Sequence, residues 1–220
     1  MMKKRVMYIL LAMILLVNIL PITAGADEIT VSDTRFCPSS LYSDLDTSLW
    51  YHAATDYVLG RNLMNGVGAG QFDPNGTTSR TMIVTILWRA EGCPVVNDLI
   101  QFEDVPADAW YAEAVRWAAS EGIVNGYSDT AFGPSDPITR EQLAAILYRY
   151  EQYLGGGFTG AWMFLLDYAD RTDVSEWAYE AMCWMTMNGV MQGKSGNILD
   201  PKGFARRCET AQILMMYPNT

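Results

Sequence analysis

Histidine occurs once among the 220 residues, as His52, and none of the four cysteines (Cys37, Cys93, Cys183, Cys208) sits in a C-x-x-C pair. A zinc site of the usual kind needs more soft ligands than these, so it cannot be completed. No D-x-[DN]-x-[DN]-G loop occurs, which removes a calcium loop of the EF-hand type. The expectation is no metal and no cofactor. A lone histidine also leaves no Ser/His or Cys/His constellation for nucleophilic catalysis. Two carboxylates would suffice for a glycosidase, but Asp104, Asp129 and Asp136 all have ready loop or capping roles. The composition therefore points away from an enzyme.

Positive charge is scarce too. There are 15 basic against 25 acidic residues, a net charge of −10. Nucleic-acid binding rests on neutralising phosphates with Lys and Arg, so that partner class is excluded. Any site for an anion must be made locally against an acidic background.

Long apolar runs are missing except at the start, "MMKKRVMYILLAMILLVNILPITAGADE". Lys3, Lys4 and Arg5 precede an apolar stretch from Val6 to Leu20, and Ala24-Gly25-Ala26 supplies the small residues of a cleavage site. This reads as a secretory signal peptide over residues 1–26. A membrane-spanning anchor is the alternative, but the run falls short of the ~20 residues a span needs and Pro21 ends it. Cleavage would remove three cations and leave 12 basic against 25 acidic residues, a net −13. The mature chain is expected outside the cytoplasm with no membrane contact. Its four cysteines allow three disulfide connectivities. Cys183 and Cys208 fall on the two helices of one repeat, which favours Cys183–Cys208 with Cys37–Cys93 among them; four free thiols are the alternative.

The chain is rich in self-similarity. A shift of 60 residues lays Trp110-Tyr111 on Trp50-Tyr51, Asn125-Gly126 on Asn65-Gly66, Phe132 on Phe72, Pro134 on Pro74 and Arg140 on Arg80. A shift of 67 the other way matches Trp110 with Trp177, Gly126 with Gly193, Pro134 with Pro201 and Arg140 with Arg207. Repeats of this length are supersecondary units that cannot bury their apolar faces alone. Each unit reads as helix, turn-rich loop, helix, and the three should share one core. In the first helix Trp110, Ala114, Trp117 and Ala118 share a face at helical spacing; in the second, Leu143, Ile146, Leu147 and Tyr150 do. Trp50, Trp110 and Trp177 are accordingly expected in the core, with groove lining as the alternative, and Phe72, Phe132 and Leu199 as plugs that fix each loop. The boundaries read as an N-terminal segment 27–43, repeats 44–96, 97–154 and 168–220, and a connecting segment 155–167. The apolar "AWMFLL" of that connection either packs on the shared core or marks a contact with a partner.

One feature resists a stability explanation. Arg80, Arg140 and Arg207 each stand at the first position of a second helix. A cation there opposes the helix macrodipole, typically by roughly 0.3–1 kcal/mol. Thr139 and Gln142 make a capping box; Ser79 can cap, but Met82 is not expected to complete the box, and Arg206 replaces the capping residue in the third unit. The arginines either pair with an acid such as Asp104, or combine with free N–H groups of the helix start to hold a carboxylate.

"FEDVPADAWYAEAVRWAASEGIVNGYSDTAFGPSDPITREQLAAILYRY" resembles a near-complete S-layer homology (SLH) repeat, with its F-x-D-V opening, tryptophan, G-I-x-x-G-Y-x-D turn, F-x-P and I-T-R start. The resemblance runs from about Asp44 to Tyr217. It implies an all-α fold of three helix–loop–helix repeats in a pseudo-threefold, three-pronged domain. It also implies a noncatalytic module that binds acidic, pyruvylated secondary cell wall polysaccharide in grooves between prongs. With it, the carboxylate reading of Arg80, Arg140 and Arg207 is taken. Gly126, Tyr127 and Asp129 become glycan-binding candidates, as do Gly66 and Gly193. Lys194 replaces the tyrosine in the third unit and Val67 in the first, so equal use of three grooves is not expected. Residues 27–43 are too short to be another domain, so an anchor of this kind has no evident cargo. The competing function is a protein-interaction or self-assembly module of the cell surface whose glycan sites have decayed, with a surface protein as partner.

Overall fold

The computed structural model describes residues 36–97, 102–160 and 163–218. The expected signal peptide and the chain up to residue 35 lie outside the described residues, as does Trp162 of the connecting segment. Six α-helices form among the described residues: α1 (His52–Gly60), α2 (Arg80–Ala90), α3 (Ala112–Ser120), α4 (Arg140–Tyr153), α5 (Glu176–Met187) and α6 (Arg207–Met216). Short 3-10 turns span Pro38–Leu41 and Arg171–Asp173. The fold is all-α, as expected, with isolated bridges but no strand among the described residues. None of these helices is long and apolar enough to cross a membrane.

The two helices of one repeat do not pair with each other. Instead α2 packs on α3, α4 on α5, and α6 on α1. Every pair therefore joins the second helix of one repeat to the first helix of the next, and the last pair closes the ring. The apolar stripes meet at these seams. Ile83, Leu87, Leu143, Leu147, Tyr150, Thr210 and Leu214 are fully enclosed, as are Ala54, Val58, Ala114 and Ala118.

At the hub, the residue just before each second-helix cap makes one link of a three-membered hydrogen-bond ring. Ile138 N donates to Thr78 O (2.8 Å), Thr78 N to Ala205 O (2.9 Å) and Ala205 N to Ile138 O (2.9 Å). The hydroxyls of Thr78 and Thr210 meet across the same centre at 2.8 Å. These buried amides lie far apart in sequence and have no local partner, so only all three repeats together satisfy them.

Each loop hangs from a plug and a carboxylate. Phe72, Phe132 and Leu199 are completely buried, as expected. Asp44, Asp104 and Asp170 each accept from the plug's amide and the next one, at 2.6–2.8 Å. The residue following the plug lies in the left-handed region, as Asp73 (φ 57°), Gly133 (φ 74°) or Asp200 (φ 54°). At Asp104, burial pushes the carboxyl up, but the amides of Phe132 and Gly133 outweigh it and hold the group below its usual range.

Three expectations need correction. The disulfide pairings do not form: all four cysteines are free. Cys183 and Cys208 do lie on α5 and α6, but those helices belong to different pairs. Trp50, Trp110 and Trp177 are not core residues; they are 58%, 63% and 56% exposed. Trp50 and Trp110 precede their helices, and the adjoining Tyr51 turns inward instead. Met82 does complete a capping box, its sulfur accepting from Ser79 N at 3.4 Å while Ser79 Oγ accepts from Met82 N at 3.2 Å. In the connecting segment Leu166 is buried, whereas Met163 and Leu165 face solvent.

Candidate binding grooves

The three arginines occupy equivalent and nearly buried places. Arg80 Nε donates to Phe132 O (2.9 Å) and Nη2 to Asn125 O (2.8 Å). Arg140 does the same to Leu199 O and Gln192 O, both at 2.8 Å. Arg207 closes the cycle on Phe72 O (2.8 Å) and Asn65 O (2.7 Å). Each guanidinium thus reaches out of its own repeat and ties down the plug and turn of the next. Their backbone N–H groups are taken as well, by Asp136 O, Gly203 O and Gly76 O at 2.8–3.0 Å. The free amides expected at these helix starts are therefore not free. They are consumed in joining the repeats, and any ligand must use the guanidinium's Nη1 side, which on Arg207 already donates weakly to Met82 Sδ at 3.6 Å. Burial lowers the pKa of all three arginines, which still remain charged.

Two clefts lie beside these arginines, and their linings correspond position by position. The larger, about 750 Å³, takes Gln192, Gly193 and Lys194 from the third loop, Arg206, Glu209 and Met216 from α6 and its approach, Arg140 from the second repeat and Trp50 from the first. The smaller, about 330 Å³, takes Asn65, Gly66 and Val67 from the first loop, Met82 and Arg89 from α2, Arg207 from the third repeat and Trp110 from the second. Each cleft thus needs three repeats: a loop and helix from one, the arginine from the one before, the tryptophan from the one after.

The third equivalent place differs. There Tyr127 lies over Arg80, with the guanidinium carbon 4.5 Å from the ring centroid. Val67 and Lys194 at the matching positions leave Arg207 and Arg140 among the cleft linings. Lys194 Nζ is held by Asp200 (2.6 Å) and Glu209 (3.7 Å) on the cleft wall. Asp129 stands exposed on the second loop, outside both linings.

The three glycines have a packing reason of their own. A Cβ on Gly66, Gly126 or Gly193 would come within 2.4–2.5 Å of Tyr42, Phe102 or Tyr168 respectively, each an aromatic two residues ahead of the carboxylate that holds the plug. None of the three has a positive φ. The missing side chain admits a ring, and the chain reverses beside it through Val67 N to Gln71 O (2.8 Å) and its counterparts.

Sequence reasoning ranked Trp50 and Trp110 as core ahead of groove lining, and missed Arg89 and Arg206 as cleft residues. The paired aromatics Trp50-Tyr51 and Trp110-Tyr111 carried a usable signal, because adjacent side chains at a helix start cannot both face the core.

The electrostatics oppose the bulk of the molecule. The smaller cleft is lined by Arg207 and Arg89 with no carboxylate; the larger has Arg140, Lys194 and Arg206 against Glu209. In a chain of net charge −10, both carry a local excess of positive charge. An exposed indole at the rim of each offers an apolar face beside the charge.

A sequence profile of the S-layer homology domain matches residues 41–80, 101–144 and 167–211. A surface-layer 125 kDa protein of Lysinibacillus sphaericus is 32% identical over 144 residues, covering 66% of this chain and 12% of that protein. An amylopullulanase of Thermoanaerobacterium thermosulfurigenes is 29% identical over 203 residues, 88% of this chain and 10% of its own length. A cellulosome-anchoring protein of Acetivibrio thermocellus is 22% identical over 159 residues, 69% of this chain and 34% of its own. The chain thus matches from about a tenth to a third of the length of these relatives.

Proposed function

The chain belongs to the S-layer homology domain family, and from that premise we propose that it is a noncatalytic module binding acidic, pyruvylated secondary cell wall polysaccharide at the bacterial surface. The observation that carries the reading is the pair of equivalent clefts, each cationic within an acidic protein and each flanked by an exposed tryptophan. A carboxylate on the glycan meets Nη1 of Arg140, or that of Arg207 in place of its weak contact with Met82 Sδ (3.6 Å), and a sugar ring lies against Trp50 or Trp110. Lys194 adds charge to the larger cleft. The two clefts bind, and the third place, where Tyr127 covers Arg80, binds less.

Sedimentation of the protein with purified, protein-free walls tests this, with walls stripped of secondary polysaccharide as control. Substituting Trp50→Ala together with Trp110→Ala removes two exposed side chains at little cost to folding. It should weaken binding about tenfold or more, and Lys194→Ala less so. Tyr127→Val, which copies the first repeat, should strengthen binding by uncovering Arg80. Binding that survives stripping of the polysaccharide, or ignores the tryptophans, would overturn the reading.

A second reading has one observation in its favour. Met163 and Leu165 of the connecting segment are 99% and 70% exposed, which suits a protein-interaction or self-assembly module with a surface protein as partner. Absence of wall binding by a folded chain that still associates would select it.

A further inference from the structure

A cluster of metal-ligating side chains lies apart from both clefts. Cys37 precedes the 3-10 turn Pro38–Leu41, while His52 and Asp56 stand one turn apart on the same face of α1. Cys37 Sγ lies 3.2 Å from His52 Nε2 and 3.5 Å from Asp56 Oδ1, and His52 Nε2 lies 3.2 Å from Asp56 Oδ2. All three side chains are half-buried.

A nucleophilic triad would place the cysteine on one imidazole nitrogen and the carboxylate on the other. Here both address Nε2. The sulfur, the nitrogen and the two oxygens of one carboxylate converge on one centre, with a ligand atom from each residue within 4.8 Å of the other two, which is the arrangement of a ligand set. Zinc bonds of about 2.3 Å to sulfur and 2.0–2.1 Å to nitrogen or oxygen, at a tetrahedral angle, separate donors by roughly 3.4–3.6 Å. The observed spacings lie within a few tenths of an ångström of that.

We propose that Cys37, His52 and Asp56 form a three-ligand site for a borderline-soft divalent ion, zinc first, with one coordination position open to solvent. One sulfur, one nitrogen and one carboxylate oxygen suit zinc or its first-row neighbours; calcium and magnesium, which take oxygen ligands, are poor occupants. The set is held in place before any ion arrives. Ser39 N donates to Asp56 Oδ1 (2.8 Å), and the Ser39 and Thr55 hydroxyls meet at 2.8 Å. The first orients a ligating carboxylate, as outer contacts of metal sites do. Binding releases the thiol proton to solvent and fastens the 3-10 turn to α1. The inference is independent of the wall-binding reading and departs from the sequence expectation of no metal. That expectation counted Cys and His alone, and the third ligand is an aspartate.

Cobalt(II) titration of the reduced, metal-stripped chain tests it. One equivalent should give a thiolate-to-cobalt charge-transfer band with four-coordinate visible bands, and zinc should displace both. Cys37→Ser should abolish the charge-transfer band while Cys93→Ser keeps it. Loss of a ligand should exceed the effect of losing an outer contact, so His52→Ala and Asp56→Ala should each weaken zinc binding by at least about tenfold. Zinc should raise the melting temperature of the wild type and not of Cys37→Ser; an unchanged circular dichroism spectrum keeps the variants interpretable. No saturable binding, or binding indifferent to Cys37, overturns the proposal, as does thiol counting that finds Cys37 in a disulfide.

Discussion

A cation at the first position of a helix is a small local penalty that buys a large non-local gain. Each of Arg80, Arg140 and Arg207 makes two hydrogen bonds to carbonyls of the next repeat. Bonds from a charged donor are worth about 1.5–3 kcal/mol each. Arg140→Ala, which also strands two carbonyls, should cost about 3 kcal/mol or more, a fall of roughly 6–12 °C in melting temperature for a chain of this size. Arg140→Lys should fall between, since an ammonium cannot reproduce the planar fork. Thermal denaturation of the two variants separates this clamp from any part Arg140 plays in ligand binding. Equal melting temperatures for alanine and wild type would show the clamp to be idle. The arginine was conspicuous in the sequence because it broke a local rule. Its carbonyl partners were not, because every residue has a carbonyl and none announces itself in a side-chain pattern.

Among the elements, what depends on near neighbours was legible and what depends on distant ones was not. The faces of α4 and the box of Thr139 with Gln142 follow from spacings of three and four residues. Thr139 N donates to Gln142 Oε1 at 3.0 Å, and Thr139 Oγ1 accepts from Gln142 N at 3.3 Å. Thr139→Ala should therefore cost about 1 kcal/mol, a drop of 2–4 °C by calorimetry. Arg206→Ala should not show that loss of a cap, because no side chain at Arg206 accepts from the helix; Glu209 holds its amide and guanidinium instead. The tryptophans mislead because the spacing of Trp110, Ala114 and Trp117 fits a helix that begins only at Ala112. The pairing of α2 with α3, rather than with α1, leaves no trace in periodicity at all. An apolar stripe states that a partner exists and not which one.

For the whole molecule, the clefts and the hub both need three repeats at once. Deleting residues 168–220 would take α6 from α1, α5 from α4, Arg207 from the first loop and two of the three bonds of the hydrogen-bond ring. Such a two-repeat chain should lack a cooperative thermal transition; a sharp transition with retained near-ultraviolet dichroism would refute that. The hub is also indifferent to sequence order. Since α6 returns to α1, the seam between the last repeat and the first is equivalent to the other two. Topologically the chain is a loop opened at one of three interchangeable points. A circular permutant that enters at the second repeat, its old ends joined by a flexible linker, would meet the same three helix pairs.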